Sequence, residues 1–590
     1  MICSNLQIKM LGNQAKIRFF ARFALFFGKS PASLFIHQSL RLCFERSFVM
    51  CSIAGEINFK REINAELMRE MNRLLTPRGP DDEGYFYDEN AALAHRRLVV
   101  VDPKNGKQPM RFGDFTLIYN GELYNTEEIR RDLAKRGCTF IGHSDTEVVL
   151  KAFAEYGEKC VELFNGIFAF AVWNARTKTL FLARDRIGVK PLFYAMTDGG
   201  IVFASEIKAL LLHPEVSPII DFNGAAQIML TGPAKFTGSG VFRDIKDIPA
   251  AHCAVFSESG LKIRRYWKLT AQKHTENFTE TAAHTKSLIT DAVKRQLVSD
   301  VPLCTFLSGG LDSSLISAIA ADEYRNSGKT LATYSIDYKN NRENFRASAF
   351  QPDEDAPYVL EMAEFIGSEH HGVVLDTPAL ADALEDAVYA RDLPGMADVD
   401  SSLYLFCREI KRDYTVALSG ECADEIFGGY PWYHKKDVLH YDGFPWATSV
   451  PERGLLMKNP LSEGEAECFV RGAYDKCLAG VDYLDGENAD DRRMREMFML
   501  NLDYFMATLL ERNVTRVSHH RTINGCAFVI HSLALFRHLA QISLERRQPS
   551  CAQFIHSDEK ITARLNDNNY AVLPKLFFID RCFGECSVLT

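Results

Sequence analysis

The chain has 590 residues, of which 47% are hydrophobic and 25% charged, and a formal net charge of -9. That length exceeds one hydrophobic core and predicts two large domains. The acidic balance excludes a polyanion-binding face, so phosphate chemistry here concerns a small nucleotide and no nucleic acid. No run of about 18 uninterrupted apolar residues occurs, which argues against a membrane span. The 15 cysteines show neither zinc spacing nor a compact disulfide framework, as fits a reducing cytoplasm.

Residues 1–50 read as an extension. Lys9, Lys16, Arg18, Arg22, Lys29, Arg41 and Arg46 stand against one acid, Glu45, beside Phe19, Phe20, Phe23, Phe26 and Phe27. The composition matches a transit peptide and equally an upstream region translated from too early a start, and the second reading is preferred. Loss of everything through Met50 would leave Cys51 with a free α-amine beside its thiol. Such an amine titrates near about 8, so a useful fraction is neutral at pH 7 and can take the thiol proton without a histidine. The plain alternative is a small buried cysteine opening a first strand.

From 51 to 215 short apolar runs alternate with turn signals, at 93–94, 98–101, 115–119, 167–173, 180–183 and 201–204, which is strand spacing. Helical periodicity falls at 65–75, 126–136 and 146–156, the last two opened by Thr or Asp caps. A layered α+β domain follows. Four polar clusters stand among these elements: Arg78-Gly79-Pro80-Asp81, His95-Arg96-Arg97-Leu98, Asn120-Gly121-Glu122 and Ser144-Asp145. Together they supply a guanidinium for a carboxylate, acids for an ammonium, and amide donors for an oxyanion. Singly each has a plainer explanation, since Asn-Gly is usually a turn and Arg-Gly-Pro-Asp a solvated corner.

Cys51-Ser52-Ile53-Ala54-Gly55, these clusters, Arg184-Asp185-Arg186, Gly188, Lys190-Pro191-Leu192 and Ala204-Ser205-Glu206 resemble the class II glutamine amidotransferase domain. That resemblance implies an N-terminal-nucleophile layered sandwich over 51–215. It also implies Cys51 as nucleophile, Asn120 and Gly121 as the oxyanion hole, and Arg97, Glu122 and Asp145 as the groups holding glutamine. Leu98, Val99, Val100 and Val101 would line the same pocket.

Residues 216–270 read as a connecting segment, and the second domain as 271–512. Its most specific feature is Phe306-Leu307-Ser308-Gly309-Gly310-Leu311-Asp312-Ser313-Ser314, set between an apolar run and a helical pattern. In a strand, glycine turn and helix, backbone N–H groups, the helix N-terminus and three hydroxyls can cradle phosphate. No lysine follows the last glycine, so the loop suits pyrophosphate release and not γ-phosphate transfer. A second strand at 415–418 runs into Ser419-Gly420-Glu421-Cys422-Ala423-Asp424. There Asp424, with Asp312, has the hard oxygens Mg²⁺ prefers. A third strand, 331–336, ends near an adenine pocket edge.

Together these segments, with Asp398-Val399-Asp400-Ser401-Ser402, resemble the α/β parallel-sheet ATP-pyrophosphatase domain of glutamine-hydrolysing asparagine synthetases. The resemblance implies an ATP-dependent ligase using glutamine, aspartate and ATP with Mg²⁺, cytoplasmic and homodimeric. On it Phe306, Ser308, Gly309, Gly310, Asp312, Ser313, Ser314, Ile336, Ser419 and Gly420 meet the nucleotide, Asp312 and Asp424 the metal, and Glu421 assists ammonia attack. Other readings are another amidotransferase or cyclising synthetase on the same scaffold, or an impaired homologue retaining only glutaminase activity or ligand binding. After Arg512 the resemblance stops, and residues 513–590 hold five of the 16 histidines. Such an atypical tail points to a frame disruption near 513.

Overall fold

The computed structural model describes residues 51–232, 234–347 and 353–510, and the backbone of the strand Thr522–Gly525. The expected extension at 1–50, and the tail from 513 apart from that strand, lie outside the described residues. Twelve strands build the first domain: β1 (Ser52–Asn58), β2 (Asp82–Tyr87), β3 (Ala91–Arg97), β4 (Met110–Phe112), β5 (Phe115–Leu123), β6 (Gly166–Asn174), β7 (Thr179–Arg184), β8 (Phe193–Thr197), β9 (Gly200–Ala204), β10 (Ile245–Asp247), β11 (His252–Ser257) and β12 (Gly260–Arg265). They form two antiparallel six-stranded sheets, in orders β10-β8-β9-β1-β3-β2 and β12-β11-β7-β6-β5-β4.

Because strand side chains alternate faces, β6 serves two cores. Ala169, Ala171 and Trp173 meet Ile53, Ile57 and Phe203 between the sheets. Phe168, Phe170 and Val172 instead pack under Ile129, Leu133, Val148 and Val149 of the helices Thr126–Lys135 and Asp145–Tyr156. The outer face of the other sheet takes Met68 and Met71 of the helix Ala65–Leu74. Helix, sheet, sheet and helix are therefore stacked in four layers, the expected layered sandwich.

Three local expectations change. Residues 98–101 are not a strand but the loop that follows β3. The caps of the two later helices lie one residue earlier than read: Asn125 precedes the first, which begins at Thr126 as expected, without a side-chain bond, and Ser144 caps the second, which begins at Asp145, by accepting from Glu147 N. The stretch 216–270, expected as a connection, supplies β10 to one sheet and β11 and β12 to the other.

The second domain is a wholly parallel sheet of β13 (Leu303–Phe306), β14 (Ala332–Tyr338), β15 (Glu369–Leu375), β16 (Val416–Ser419) and β17 (Thr522–Gly525), in order β15-β14-β13-β16-β17. Leu303, Val416 and Leu418 face the helices Phe278–Gln296, Leu311–Asn326 and Ala356–Ile366, whereas Cys304 and Ala417 face Phe406, Cys407 and Ile410 of the helix Ala397–Ile410. Covering both faces of a parallel sheet makes a doubly wound domain, as expected. β17 falls beyond residue 512, so this sheet continues past the point where the sequence changes character. Among the described residues no helix is long and apolar enough to cross a membrane.

The domains share apolar and ionic contacts. Ile167, Ile187 and Val189 of the sandwich belong to the same core as Ile289, Val293 and Leu303. Nearby, Lys208 Nζ lies 2.6 Å from Glu206 and 2.8 Å from Asp392, and Glu206 also pairs with the fully buried Arg78 at 2.8 Å. Losing one member of a buried ion cluster strands the others' charge, at a cost of about 3–5 kcal/mol. Lys208→Met is therefore expected to destabilise the first unfolding transition in urea by about that much, read as a fall in its midpoint; an unchanged midpoint would show that this cluster does not hold the domains together.

Candidate functional site

β1 is an inner strand, paired with β3 and β9, and all seven of its residues are buried. Cys51 precedes it and so sits at a fixed point on the sandwich rim. Its thiol donates a weak hydrogen bond to Leu98 O at 3.6 Å. Burial pushes the thiol's pKa up, opposed by the nearby Arg97 and Lys190 cations. Around it lies a cavity of about 60 Å³, lined by Arg97, Leu98, Val100, Val101, Gly106, Gln108, Tyr119, Asn120, Gly121, Glu122, Asp145, Thr146 and Lys190. That is several times the roughly 10–15 Å³ one water needs, and polar groups make up a good part of the walls, so the cavity has room for more than one water and groups to bind a polar molecule.

Each wall group is held by its backbone. Asn120 and Gly121 lie on β5 opposite Ala169 and Phe168 of β6. A Cβ on Gly121 would stand 2.4 Å from Ile167 O, so only glycine permits this pairing. Gln108 braces β5 one residue earlier: its amide accepts from Tyr119 N at 2.6 Å and donates to Tyr119 O at 3.0 Å. The Asn120 Nδ2 amide is buried and has no hydrogen-bond partner among the described residues. An unsatisfied buried donor is costly, so this amide, on a residue of the cavity wall, has a hydrogen bond left to give to an acceptor.

Asp145 opens the helix Asp145–Tyr156, and its Oδ2 accepts from Tyr119 Oη at 2.9 Å and Leu123 N at 3.1 Å. Burial raises its carboxyl pKa while these bonds oppose the rise. Arg97 donates to the carbonyls of Val101, Asp102 and Pro103, at 3.2, 2.7 and 3.1 Å, and so shapes the loop that forms one wall. His95 lies behind, its ring pushed to about 3 by burial; it is neutral at pH 7 and cannot serve as a cation.

The second domain presents a site at a different place in its sheet. β13 continues to β14 on one side, while β16 lies on the other, so the strand order reverses between β13 and β16. In open parallel sheets ligands bind at the carboxyl ends of the strands at such a reversal. Two loops meet there: a Cβ on Gly420, after β16, would touch Ser313 N at 3.0 Å and Asp312 Cβ at 3.1 Å, after β13. Gly309 has φ +74°, and a Cβ on it would strike Val359 N at 2.9 Å, so this tight turn also requires glycine. Ser313 Oγ accepts from Ser308 N at 3.1 Å and donates to Gly310 O at 3.2 Å. No side chain caps the helix Leu311–Asn326, which leaves its first N–H groups directed at the crevice. Phe306 packs against Phe406 with the rings tilted at 55° and 4.8 Å between centroids, and Ile336 lies in the same apolar cluster. Burial and Glu421 both raise the pKa of Asp424.

A family model described as a glutamine amidotransferase domain matches residues 50–267, and one described as asparagine synthase matches 284–527. The glutamine-hydrolysing asparagine synthetase 3 of Bacillus subtilis is 50% identical over 471 residues, 78% of this chain and 76% of its own. The chain belongs to the glutamine-hydrolysing asparagine synthetases. Synthetase 1 of the same organism is 32% identical over 70% of this chain and 66% of its own. Asparagine synthetase B of Escherichia coli is 31% identical over 65% and 66%.

Within this synthetase, the structure gathers Cys51, Arg97, Leu98, Val100, Val101, Asn120, Gly121, Glu122 and Asp145 in one cavity. Val99, expected in the wall, is not among the lining residues; its N–H instead donates to Asp81 Oδ2 at 2.8 Å. Gly106, Gln108, Tyr119, Thr146 and Lys190 were missed as pocket residues. Tyr119 and Lys190 stood in stretches singled out in the sequence, whereas nothing in residue type or spacing marks Gln108. If Asn120 Nδ2 receives the oxyanion, Asn120→Ala is expected to lower the glutaminase kcat about 100- to 1,000-fold with KM little changed. A loss confined to KM would move Asn120 to ground-state binding.

Proposed function

We propose that this chain makes asparagine from aspartate, glutamine and ATP, with Cys51 releasing ammonia from glutamine in the first domain. The observation that carries the reading is the single cavity holding a thiol, a partnerless amide donor, a guanidinium and two carboxylates. The thiolate attacks the side-chain amide carbon of glutamine, and Asn120 Nδ2 and Gly121 N–H receive the oxyanion. Ammonia leaves and water then hydrolyses the thioester. Arg97 holds the substrate carboxylate, and Glu122 and Asp145 its ammonium. The α-amine exposed by removal of residues 1–50 takes the thiol proton.

In the second domain the aspartate β-carboxylate attacks the α-phosphorus of ATP and pyrophosphate leaves. Ammonia then attacks the activated carbonyl and AMP departs. Ser308, Gly309, Gly310, Asp312, Ser313 and Ser314 hold pyrophosphate, Phe306, Ile336, Ser419 and Gly420 hold the rest of the nucleotide, and Glu421 takes a proton from the attacking ammonia. No group of three or more metal-ligating side chains occurs among the described residues. Mg²⁺ fits even so, because it needs only one or two carboxylates besides phosphate oxygens, and Asp312 and Asp424 follow adjacent strands. Bound there, it would neutralise charge on the departing pyrophosphate. Ammonia stays unprotonated by crossing the apolar junction where Ile167, Ile187 and Val189 meet the second domain. The same reading makes the enzyme a cytoplasmic homodimer.

Cys51→Ala is expected to abolish glutamine-dependent asparagine and AMP formation while ammonium chloride still supports both. Asp312→Asn should stop pyrophosphate release with either nitrogen source. Preferential AMP release with a carboxylate other than aspartate would overturn the choice of acceptor, and full glutamine hydrolysis by the Cys51→Ala variant would overturn the nucleophile.

A further inference from the structure

One cation of the glutaminase cavity has no part in the scheme above. Lys190 lines the cavity with Cys51 and Glu122, although only 1% of it is exposed. A lysine is seldom fully buried without a use for its charge. Its backbone is clamped. The buried Asp185 carboxylate accepts from the N–H groups of Ile187, Val189 and Lys190 at 3.2, 3.0 and 2.9 Å. Arg184 grips the same turn from the other side, donating to Lys190 O and Gly188 O at 2.8 Å each and to Asp247 at 2.9 Å. The motif from Arg184 to Leu192 is thus a device for delivering one ammonium to a fixed place in the cavity.

We propose that Lys190 is a positioning residue for the nucleophile: its ammonium, fixed at the cavity wall, biases Cys51 toward the thiolate. The inference rests on the glutaminase reading of Cys51. The charges acting on Lys190 are Glu122, Arg78, Asp185 and Cys51, and those acting on Cys51 are Arg97, Lys190 and Asp145, joined after removal of residues 1–50 by the Cys51 α-amine, which titrates near about 8 in every variant compared. Arg97 has three of its five N–H donors committed to loop carbonyls, so it is also a wall strut. On ionisation the Cys51 S–H bond breaks heterolytically, the electron pair stays on sulfur and the proton passes to the Cys51 α-amine.

Burial pulls the Lys190 ammonium down to about 8, while burial pushes the Cys51 thiol up from its ordinary value. The signs follow. Below about 8 the ammonium is present and lowers the thiol pKa; as pH rises through that value the help fades, so thiol ionisation spreads over a wider pH span than a single group would show.

The test is the pH dependence of Cys51 carboxamidomethylation by iodoacetamide in the full protein processed after Met50, followed by mass spectrometry of the Cys51 peptide. Lys190→Met is expected to slow labelling at pH 7 about tenfold, the equivalent of about one pKa unit. Lys190→Arg, whose charge does not titrate in this range, should keep the rate at pH 7 and narrow the transition. Superimposable profiles for wild type and Lys190→Met would overturn the inference, as would Lys190→Arg behaving like Lys190→Met. Lys190→Gln is read the same way if the methionine variant fails to fold. Labelling reports thiol acidity without glutamine present, so failure here is distinct from failure of the nucleophile assignment, which Cys51→Ala reports.

Discussion

The burial of β1 is the constraint on which the glutaminase half depends. A strand paired on both sides and covered on both faces cannot shift, because a slip of one residue would exchange its inner and outer faces. The residue ahead of it is therefore held where the rims of both sheets meet. The same burial works against the chemistry, since it disfavours the charged thiolate. The cavity compensates with fixed groups: cations at Arg97 and Lys190, and a partnerless amide on Asn120. Rigidity and electrostatic correction are two consequences of one strand's position.

The second domain solves a similar problem by topology. Parallel strands send all their carboxyl ends to one edge, and the reversal between β13 and β16 opens a crevice there. Into it project an uncapped helix N-terminus and the hydroxyls of Ser308 and Ser313, which hold one another in place at 3.0 Å. Gly309 and Gly420 are glycines for packing reasons, each lying against backbone that a side chain would displace. The loop's shape thus follows from contacts with the helix Ala356–Ile366 and with the neighbouring loop, not from its own sequence alone.

Much of this was legible in the sequence where the cause is local. Strand alternation, helix periodicity and the glycine turn after β13 depend on neighbours a few residues away, and most central elements emerged within a residue or two, although β3 and β5 run three and four residues past the apolar stretches that marked them. What escaped depends on distant pairing. β10 has three residues and β12 exposes most of its side chains, so neither carries an apolar pattern strong enough to read; only pairing with β8 and β11 makes them strands. Residues 98–101 are apolar like a strand, yet they form a wall because Arg97 and Asp81 hold the loop that follows β3. Gln108 matters only because β5 passes beside it, and β17 lies in a stretch whose composition gives no sign of a sheet. The cavity's polar clusters were visible as residue types; that they converge was a resemblance until the sheets brought them together.

The two sites also share a mechanical part. Asp300, three residues before β13, accepts from Asp102 N at 3.0 Å and lies 3.2 Å from His143 Nε2, while its own N–H donates to Val100 O at 3.0 Å. Arg97 grips the same loop from within the cavity. One wall of the glutamine pocket is thus bolted on one side to the pocket's own guanidinium and on the other to the entry of the strand that carries the phosphate loop. Continuity of this kind sets geometry; it transmits a signal only if the loop has two arrangements of similar free energy. The number of bonds holding 98–106 favours a single arrangement. On that physical ground the junction serves to keep the first domain's pocket wall and the entry to β13 in a fixed relation.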